Sequence, residues 1–238
     1  MRVGLLSDVH GNLAGLRAVP EALDRAGPLD QVVVAGDLVQ GGPRLRAVWD
    51  TLIGRGWTLV RGNEDEALGA GRIAHGEYPP HLRPSAQAQI AWTRRQLGGE
   101  ILARLAALPF DVRLPTPAGD LLVVHSSPRG TGDRRGGPHN SIDEVIEGYQ
   151  GTGATAIAFG HYHSSFVRTT PFALLINVAS VGLPPVGAPP LAAYTVLTAT
   201  ADGWIVEQRH VAYDLAEEQA AADAAGMPPW EAEPSDRA

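Results

Sequence analysis

The sequence of 238 residues contains no cysteine, and all 19 of its basic residues are arginine, so it contains no lysine either. The lack of cysteine excludes disulfides, thiolate nucleophiles and cysteine-ligated zinc or iron–sulfur sites. The lack of lysine excludes Schiff-base catalysis and the phosphate-binding lysines of P-loop enzymes and kinases. These two absences remove several common enzyme classes from consideration.

Long apolar runs and a positive charge balance are also missing. No run approaches the length that spans a bilayer, and the amino terminus lacks the basic segment and long apolar core of a signal peptide. We therefore expect a cytoplasmic protein with no membrane partner. The formal net charge is −7. This charge argues against an extensive nucleic-acid-binding surface, because such a surface needs a basic footprint.

The composition, with 44% hydrophobic and 19% charged residues, is typical of one globular α/β domain. Three apolar runs read as buried strands and alternate with two amphipathic helical patterns. This alternation predicts a doubly wound sheet, in which ligands bind beyond the carboxyl ends of the strands. The predicted strands are 2–7, 31–35 and 57–60, and the predicted helices begin at Leu13 and Leu45.

The remaining sequence predicts a helical insertion, a second sheet and a terminal helix. We place the insertion at about residues 66–108, broken at Gly98-Gly99, and a main domain at 1–212 followed by a terminal helix and a frayed polar tail at 213–238. The last four predicted strands alternate as in an antiparallel meander. The later predicted elements are strands 110–114, 121–124, 154–159, 165–168, 173–177, 192–198 and 204–210 and helices 142–148 and 215–225.

Seven oxygen or imidazole side chains stand at the predicted strand ends: Asp8, His10, Asp37, Asn63, His125, His161 and His163. Taken singly, each is as well explained as a cap or turn residue; Asp8, for instance, could cap a helix. Taken together they suit two divalent transition-metal ions of the Mn, Fe, Zn, Ni or Co type, because one zinc site needs only three or four ligands. Asp37, on the middle strand, could contact both ions.

Five blocks of sequence resemble the calcineurin-like metallophosphoesterases, in particular their small stand-alone bacterial and archaeal branch. They are Asp8-Val9-His10, Gly36-Asp37, Gly62-Asn63, His125 and Gly160-His161-Tyr162-His163, in the family's order. The resemblance implies a four-layer α/β/β/α sandwich of two mixed sheets with a dimetal site at the carboxyl ends of the strands.

The resemblance also divides the ligands between two metals. One metal would be held by Asp8, His10, Asp37 and His163, and the other by Asp37, Asn63, His125 and His161. Two metals about 3.5–4 Å apart can share a carboxylate and a water, which becomes hydroxide near neutral pH and attacks phosphorus in line. The expected activity is therefore hydrolysis of phosphate esters.

Two positions depart from the family pattern. Glu64 stands where many members carry a histidine that protonates the leaving group. We count it with Asp37 and Asn63 as a catalytic candidate but favour an outer-shell role, since neighbouring cations keep a carboxyl ionised. The usual Asn-Pro-Gly-Ser stretch reads Asn177-Val178-Ala179-Ser180, and we expect this difference to alter the turn near the pocket.

Two residues are candidates for substrate binding. Arg129 lies in the long loop after His125, and its guanidinium matches phosphate geometry; Tyr162 lies between the paired histidines. Arg134 and Arg135 fit solvated loop charges equally well. The remaining histidines have no positioned partners and are interpreted as surface or core residues: His75, His81, His139 and His210.

The sequence thus favours a metal-dependent hydrolase of small, soluble phosphomonoesters or phosphodiesters, with manganese as the metal expected to work best in vitro. A dinucleotide polyphosphate hydrolase or a nuclease of the same family is an alternative, and so is a non-catalytic scaffold on this fold. A scaffold is expected to have lost ligands, whereas every ligand position is filled here. The physiological substrate, the native metal and the oligomeric state are left open.

Overall fold

The computed structural model describes residues 1–72, 83–184 and 187–229. The strands found there are β1 (Arg2–Leu6), β2 (Gln31–Val34), β3 (Thr58–Leu59), β4 (Asp111–Leu114), β5 (Leu121–Val124), β6 (Ala156–Phe159), β7 (Ser165–Thr169), β8 (Leu174–Val178), β9 (Leu191–Thr200) and β10 (Gly203–Ala212). The helices are α1 (Leu13–Arg25), α2 (Leu45–Gly54), α3 (Asn63–Ala70), α4 (Arg83–Ala106), α5 (Ile142–Tyr149) and α6 (Leu215–Ala225).

The strands form two mixed five-stranded sheets. Sheet A has the order β10-β9-β1-β2-β3 and sheet B the order β4-β5-β6-β8-β7. In sheet A, β1, β2 and β3 are parallel and β9 pairs antiparallel with β1. In sheet B, β5, β6 and β8 are parallel. The strands that precede the predicted ligands are therefore parallel neighbours, and their carboxyl ends meet at one edge of each sheet.

Alternating side chains divide the interior into layers. In β1, Val3 and Leu5 pack between the two sheets, whereas Leu6 packs among residues of α1, α2 and α4. In β5, Val123 likewise faces sheet A, and Val124 packs towards α5. The order helix, sheet, sheet, helix confirms the predicted four-layer α/β/β/α sandwich.

The doubly wound interpretation is wrong, because the helices of the described ranges cover one face of each sheet and leave the other to the second sheet. The opposite faces of the two sheets pack on one another instead. The apolar runs did not reveal this, since a strand buried on both faces has the same sequence whether a helix or a second sheet covers it.

The predicted meander of the last four strands is also wrong. They form two separate hairpins: β7 pairs with β8 in sheet B, and β9 pairs with β10 in sheet A. The chain changes sheets between β8 and β9, because β8 pairs with β6 while β9 pairs with β1. Period-2 alternation identifies such strands but does not say which sheet each one joins.

The insertion and the terminal helix both pack on the helical layer next to sheet A. Helix α4 is interrupted at Gly98 (φ 77°, ψ 167°), next to the predicted break, and its Ile90 and Trp92 join the core of α1 and α2. Helix α6 has the predicted bounds, and its Glu218 Oε1 accepts a hydrogen bond from the Ala14 N–H at 2.6 Å. The boundary placed at residue 212 stays a prediction.

Three of the sequence-based expectations fall outside the described residues. They concern His75, His81 and the tail beyond Pro229. Within the described ranges, no helix has both the length and the apolar character needed to cross a membrane.

Candidate metal centre

The loops after β1, β2 and β6 hold their backbone in an unusual conformation. Across the described ranges, six residues other than glycine have a positive φ, and five of these are predicted ligands: Asp8 (54°), His10 (49°), Asp37 (53°), His161 (70°) and His163 (55°). Such residues cost about 1–2 kcal/mol each in the left-handed region. Strain of this kind persists where the surrounding structure enforces it, and it clusters at functional sites.

The first group of predicted ligands meets where β1 and β6 end. His163 Nε2 lies 3.1 Å from Asp8 Oδ1 and 3.2 Å from His10 Nε2. His10 Nε2 is also 3.6 Å from Asp8 Oδ1. Two nitrogens and a carboxylate oxygen that converge in this way could hold a metal ion.

The second group meets where β3, β5 and β6 end. His125 Nε2 lies 2.8 Å from Asn63 Oδ1, and His161 Nδ1 lies 3.0 Å from the same oxygen. An amide oxygen and two imidazole nitrogens converge there, so these donor atoms are of the types that the resemblance assigns to the second metal.

Asp37 lies between the two groups. Its Oδ2 is 3.8 Å from His10 Nε2 in the first group and 3.4 Å from His125 Nε2 in the second. Its Oδ1 instead accepts the backbone N–H of Glu64 at 2.9 Å. One oxygen is thus fixed by the backbone while the other faces both groups, as expected of a bridging carboxylate.

Two histidines are held in a defined tautomer by backbone carbonyl groups. The Nδ1–H of His10 donates to the Gln40 carbonyl oxygen at 2.7 Å, and the Nδ1–H of His125 donates to that of Ala35 at 2.7 Å. The neutral rings therefore present an Nε2 lone pair to the cluster, which is the usual arrangement behind a metal-binding histidine.

The cluster has a strongly negative local potential. Burial alone would lower the pKa of His10 and His125, but the neighbouring Asp8 and Asp37 carboxylates raise these pKa values to about 9 and about 10. Burial raises the pKa of both aspartates, yet the charges and hydrogen bonds of the histidines outweigh it and hold the pKa of each below its ordinary value. A potential that stabilises imidazolium to this extent would also attract cations.

Asp65 is a buried residue of the site whose position the sequence reasoning missed. Its carboxylate accepts the backbone N–H groups of Asp37 (2.9 Å), Leu38 (3.0 Å) and Gly62 (3.0 Å), and so joins the ligand loops after β2 and β3. Burial and the charge of Asp37 raise its pKa to about 6. An acidic residue at the third position of a helix is a capping signal, and it would have marked α3 had that helix been predicted.

A second brace comes from the segment after β8. Ser180 Oγ donates to the Asp8 carbonyl oxygen at 2.8 Å, and Asn177 Nδ2 donates to the Gly160 carbonyl oxygen. Ala179 stands in the left-handed region (φ 61°), a conformation that glycine adopts without strain and alanine does not. Ala179 therefore carries backbone strain in this turn, and the expected difference from the family's turn stays a prediction.

Gly160 permits the close approach of the β1 and β6 loops. A Cβ atom at this position would lie 1.8 Å from Ser7 Oγ and 2.2 Å from Asp8 Oδ2. The His161 N–H can consequently donate to Asp8 Oδ2 at 3.0 Å, which fixes the second oxygen of that carboxylate.

The two candidate substrate-binding residues, Arg129 and Tyr162, lie outside the ligand cluster. The Arg129 guanidinium donates to the carbonyl oxygens of Glu147 (3.1 Å) and Gln150 (3.2 Å) at the end of α5, so this residue fastens the long loop to α5. Tyr162 accepts the Gly136 N–H at 2.9 Å through its hydroxyl, and so fixes the same loop. The structure brings neither side chain into the ligand cluster, and their roles in substrate binding stay predictions.

Glu64 and the other loop arginines complete the surroundings of the cluster. Glu64 is buried directly after Asn63. Arg135 pairs with Asp133 at 2.8 Å. Arg134 is exposed and makes no hydrogen bond or ion pair within the described part of the chain. Burial lowers the pKa of His161 to about 3, with smaller contributions from the charges of His125 and Arg134.

The two-sheet sandwich and the aspartates and histidines that converge at its strand ends place the chain among the α/β proteins with a metallohydrolase-like site. A family model described as the calcineurin-like phosphoesterase superfamily domain matches residues 1–202, and the chain belongs to this family. The family depends on a pair of metal ions, and the Asp/His cluster could bind them. No curated protein matches the sequence significantly.

Solved structures share the fold over nearly the whole chain. A metallophosphoesterase from Sphaerobacter thermophilus is 28% identical, with a TM-score of 0.70 and coverage of 96% of this chain and 95% of that one. The hypothetical protein PH1004 from Pyrococcus horikoshii OT3 is 18% identical, with a TM-score of 0.83 and coverage of 95% and 94%. Yfce, a phosphoesterase from E. coli, is 19% identical, with a TM-score of 0.51 and coverage of 90% and 100%.

Proposed function

We propose that this protein is a metal-dependent hydrolase of small phosphate esters that uses two divalent transition-metal ions. The observation that carries the proposal is the position of Asp37 Oδ2, which lies between two groups of imidazole and oxygen donors. The first metal would be held by Asp8, His10, Asp37 and His163, and the second by Asp37, Asn63, His125 and His161. This mixed nitrogen and oxygen donor set suits Mn, Fe, Zn, Ni or Co better than it suits Ca or Mg.

When bound, such a metal pair would supply an activated water as nucleophile and neutralise the charge of the phosphoryl group. The chain's own residues hold the donor atoms in place. Backbone N–H groups fix Asp8 Oδ2 and Asp37 Oδ1, and backbone carbonyl groups fix the rings of His10 and His125. The donors are thus preorganised and need little rearrangement when charge develops.

The role of Glu64 follows from its backbone more than from its acidity. Its N–H holds Asp37 Oδ1 at 2.9 Å, and its buried carboxyl stands next to Asn63, where bound cations would keep it ionised. We therefore assign it an outer-shell role. Substrates with good leaving groups, which need no proton donor, should be cleaved best.

The substrate is proposed to be a small, soluble phosphomonoester or phosphodiester in the cytoplasm. The net charge of −7 disfavours a nuclease that tracks a long polyanion. A dinucleotide polyphosphate hydrolase remains an alternative enzyme, and a scaffold without activity remains the alternative of another class. Retention of all seven donor positions favours an enzyme, because a scaffold has no need of them.

The test is metal analysis followed by a substrate panel. Purified protein loaded with manganese should bind about two equivalents and hydrolyse an aryl phosphomonoester or an aryl phosphodiester. A dinucleotide polyphosphate and a cyclic nucleotide complete the panel and separate the enzyme alternatives. A correctly folded protein that binds no metal and hydrolyses none of the four would contradict the proposal and favour the scaffold.

A further inference from the structure

A cavity of about 370 Å³ adjoins the candidate metal centre at His10. This volume falls within the range of roughly 300–1,000 Å³ found for small-molecule sites. Its walls come from distant parts of the chain: the loops after β1 and β2, the insertion helix α4, the segment after β8 and the helix α6. His10 is common to the cavity and the ligand cluster, so a molecule whose phosphate lies at the cluster could extend into this space.

The wall formed by α6 is fixed firmly to the rest of the domain. The buried Glu218 accepts the Ala14 N–H at 2.6 Å, directly after the β1 ligand loop. Glu217 Oε1 accepts from Arg44 Nη1 at 2.6 Å. Beyond the helix, the Pro228 carbonyl oxygen accepts from Gln89 Nε2 of α4 at 3.2 Å. The cavity therefore has a defined shape of the kind that selects among ligands.

The lining of the cavity is polar, and among the described residues it contains no arginine. Amides and carboxylates are supplied by Asn12, Gln89, Gln219, Glu218 and Asp223. Glu218 Oε2 is buried and has no hydrogen-bond partner within the described part of the chain. Arg44 Nε lies 3.7 Å from Glu218 Oε1 and partly balances that charge, so the exposed Asp223 carboxylate is the group that disfavours a second phosphate. The exposed side chains of Gln219 and Asp223 offer hydrogen bonds to hydroxyl groups.

Apolar side chains form another part of the lining, with Leu183, Leu215 and Met227 among them. A ligand that fits both parts needs hydroxyl or amide groups on one side and a flat apolar face on the other. Thioether and branched aliphatic groups pack well against aromatic rings. A nucleoside combines a hydroxyl-bearing sugar with such a face and carries no charge.

We propose that this cavity binds the nucleoside part of the substrate, so that the substrates are nucleoside phosphate esters with a single phosphate. The catalytic consequence rests on the proposed phosphoesterase function, but nucleoside binding does not. The proposal disfavours dinucleotide polyphosphates, because their additional phosphates would meet the acidic wall.

The kinetic test compares two diesters of equal charge with the same leaving group, thymidine 5′-(4-nitrophenyl phosphate) and methyl 4-nitrophenyl phosphate. Ala222 lines the cavity from α6, whereas Ala224 is exposed on the same helix and does not line it. Ala222→Phe should lower the ratio of kcat/KM for the thymidine ester to that for the methyl ester by about tenfold, as expected when a pocket is blocked. The matched control Ala224→Phe should keep the wild-type ratio.

The binding test uses thymidine alone with metal-free protein, followed by ligand-observed NMR. Wild type and Ala224→Phe should bind thymidine, and Ala222→Phe should not. Should Ala222→Phe fail to fold, the double variant Gln219→Ala/Asp223→Ala replaces it and should weaken thymidine binding about fivefold, the loss of one or two hydrogen bonds.

The outcomes separate the two proposals. Thymidine binding without hydrolysis of either ester would overturn the phosphoesterase function and leave the nucleoside site standing. Hydrolysis of both esters with an unchanged ratio in Ala222→Phe, and no thymidine binding by wild type, would overturn the nucleoside site alone.

Discussion

The two sheets contribute different chemistry to the candidate metal centre. Loops of sheet A supply every oxygen donor and one imidazole, from Asp8, His10, Asp37 and Asn63, whereas loops of sheet B supply imidazoles alone, from His125, His161 and His163. The negative charge thus comes from one sheet and neutral ligands come mainly from the other. A binding site of this composition forms only when the two sheets have packed together.

The two sides also differ in exposure. The sheet A ligands are all buried, with His10 and Asn63 the most accessible at 6%, while the side chain of His163 from sheet B is 31% exposed. The charged side is therefore the rigid, desolvated side, and a ligand would approach past the paired histidines of sheet B.

The largest expected effect comes from removing the residue that joins the two groups. Asp37→Ala should abolish both metal binding and turnover, because Oδ2 serves both sides of the centre. The loss should exceed the roughly 10–100-fold cost of removing an outer-shell partner. Metal analysis and hydrolysis of an activated aryl phosphate measure it, with the exposed Asp50→Ala as control. An active Asp37→Ala enzyme would show that the carboxylate does not bridge.

Single substitutions of the sheet B histidines should each remove one of the two metal ions. His163→Ala should lose the metal next to Asp8 and His10 and retain the other, while His161→Ala should do the reverse. Each variant is expected to bind about one equivalent in place of two. Titration with manganese, monitored by the magnetic coupling of a metal pair in EPR spectra, distinguishes them from wild type. Loss of both ions in each variant would mean that the halves are not independent.

Asp65 tests whether the loops of sheet A are positioned by its carboxylate. Asp65→Asn retains the shape but places an amide N–H₂ against backbone N–H groups, so at least one buried donor loses its acceptor. We expect manganese affinity to fall by roughly 10–100-fold with the fold retained, as measured by calorimetry and circular dichroism. Asp50→Asn is the matched control, and equal affinity in the two variants would exclude a positioning role.

The stability of metal-free protein should depend on pH through the same charges. The folded-state pKa values of His10 and His125 are raised to about 9 and about 10, above the unfolded value of about 6.5. Their stabilisation is complete below pH 6.5 and is lost as the pH rises through these values. His161, whose pKa is lowered to about 3, is neutral in both states above pH 7 and adds no slope there.

The measurement is the Tm of chelator-treated protein between pH 7 and pH 10, where a progressive decrease is expected. Protein loaded with metal should show a smaller decrease, because bound cations replace the imidazolium charges that neutralise Asp8 and Asp37. A flat profile for the metal-free protein would contradict the charge balance described for the cluster.

The smallest effect is expected at Ala179 and should be stabilising. Ala179→Gly relieves the left-handed backbone strain and loses part of this gain to greater freedom in the unfolded chain, leaving about 0.5–1 kcal/mol. Ala220→Gly, in the helix α6, is the control and should destabilise by about 1 kcal/mol. Denaturant unfolding measures both, and destabilisation by Ala179→Gly would mean that its methyl group contributes more than the strain costs.

The convergence of the candidate ligands was predictable from sequence because its signal is local. Each of Asp8, Asp37 and His161 stands within two residues of the end of an apolar run, and parallel strands bring their carboxyl ends together whatever the details of packing. The layer order came only from the family resemblance, since apolar runs suit helical and sheet neighbours equally.

The parts that sequence reasoning missed depend on contacts between distant segments. Arg129 was a substrate candidate because of its position after His125, and that role stays a prediction; its hydrogen bonds to carbonyl groups of α5 were not foreseen. Asp65 had no evident role until the loops after β2 and β3 were seen side by side. Strand β9 joins sheet A because it pairs with β1, and an alternation pattern does not predict which strand will be the partner.

That pairing has a consequence for how the polypeptide is made. Arg2 is opposite Thr198 in the ladder between β1 and β9, so β1 can pair with the nearby β2 early but acquires its second neighbour only after the long segment up to β9 has been translated. Ladders between such remote segments form slowly. Until then β1 has an unpaired edge that is prone to association with other chains, and we expect chaperone dependence to be greatest for nascent chains that end before β9.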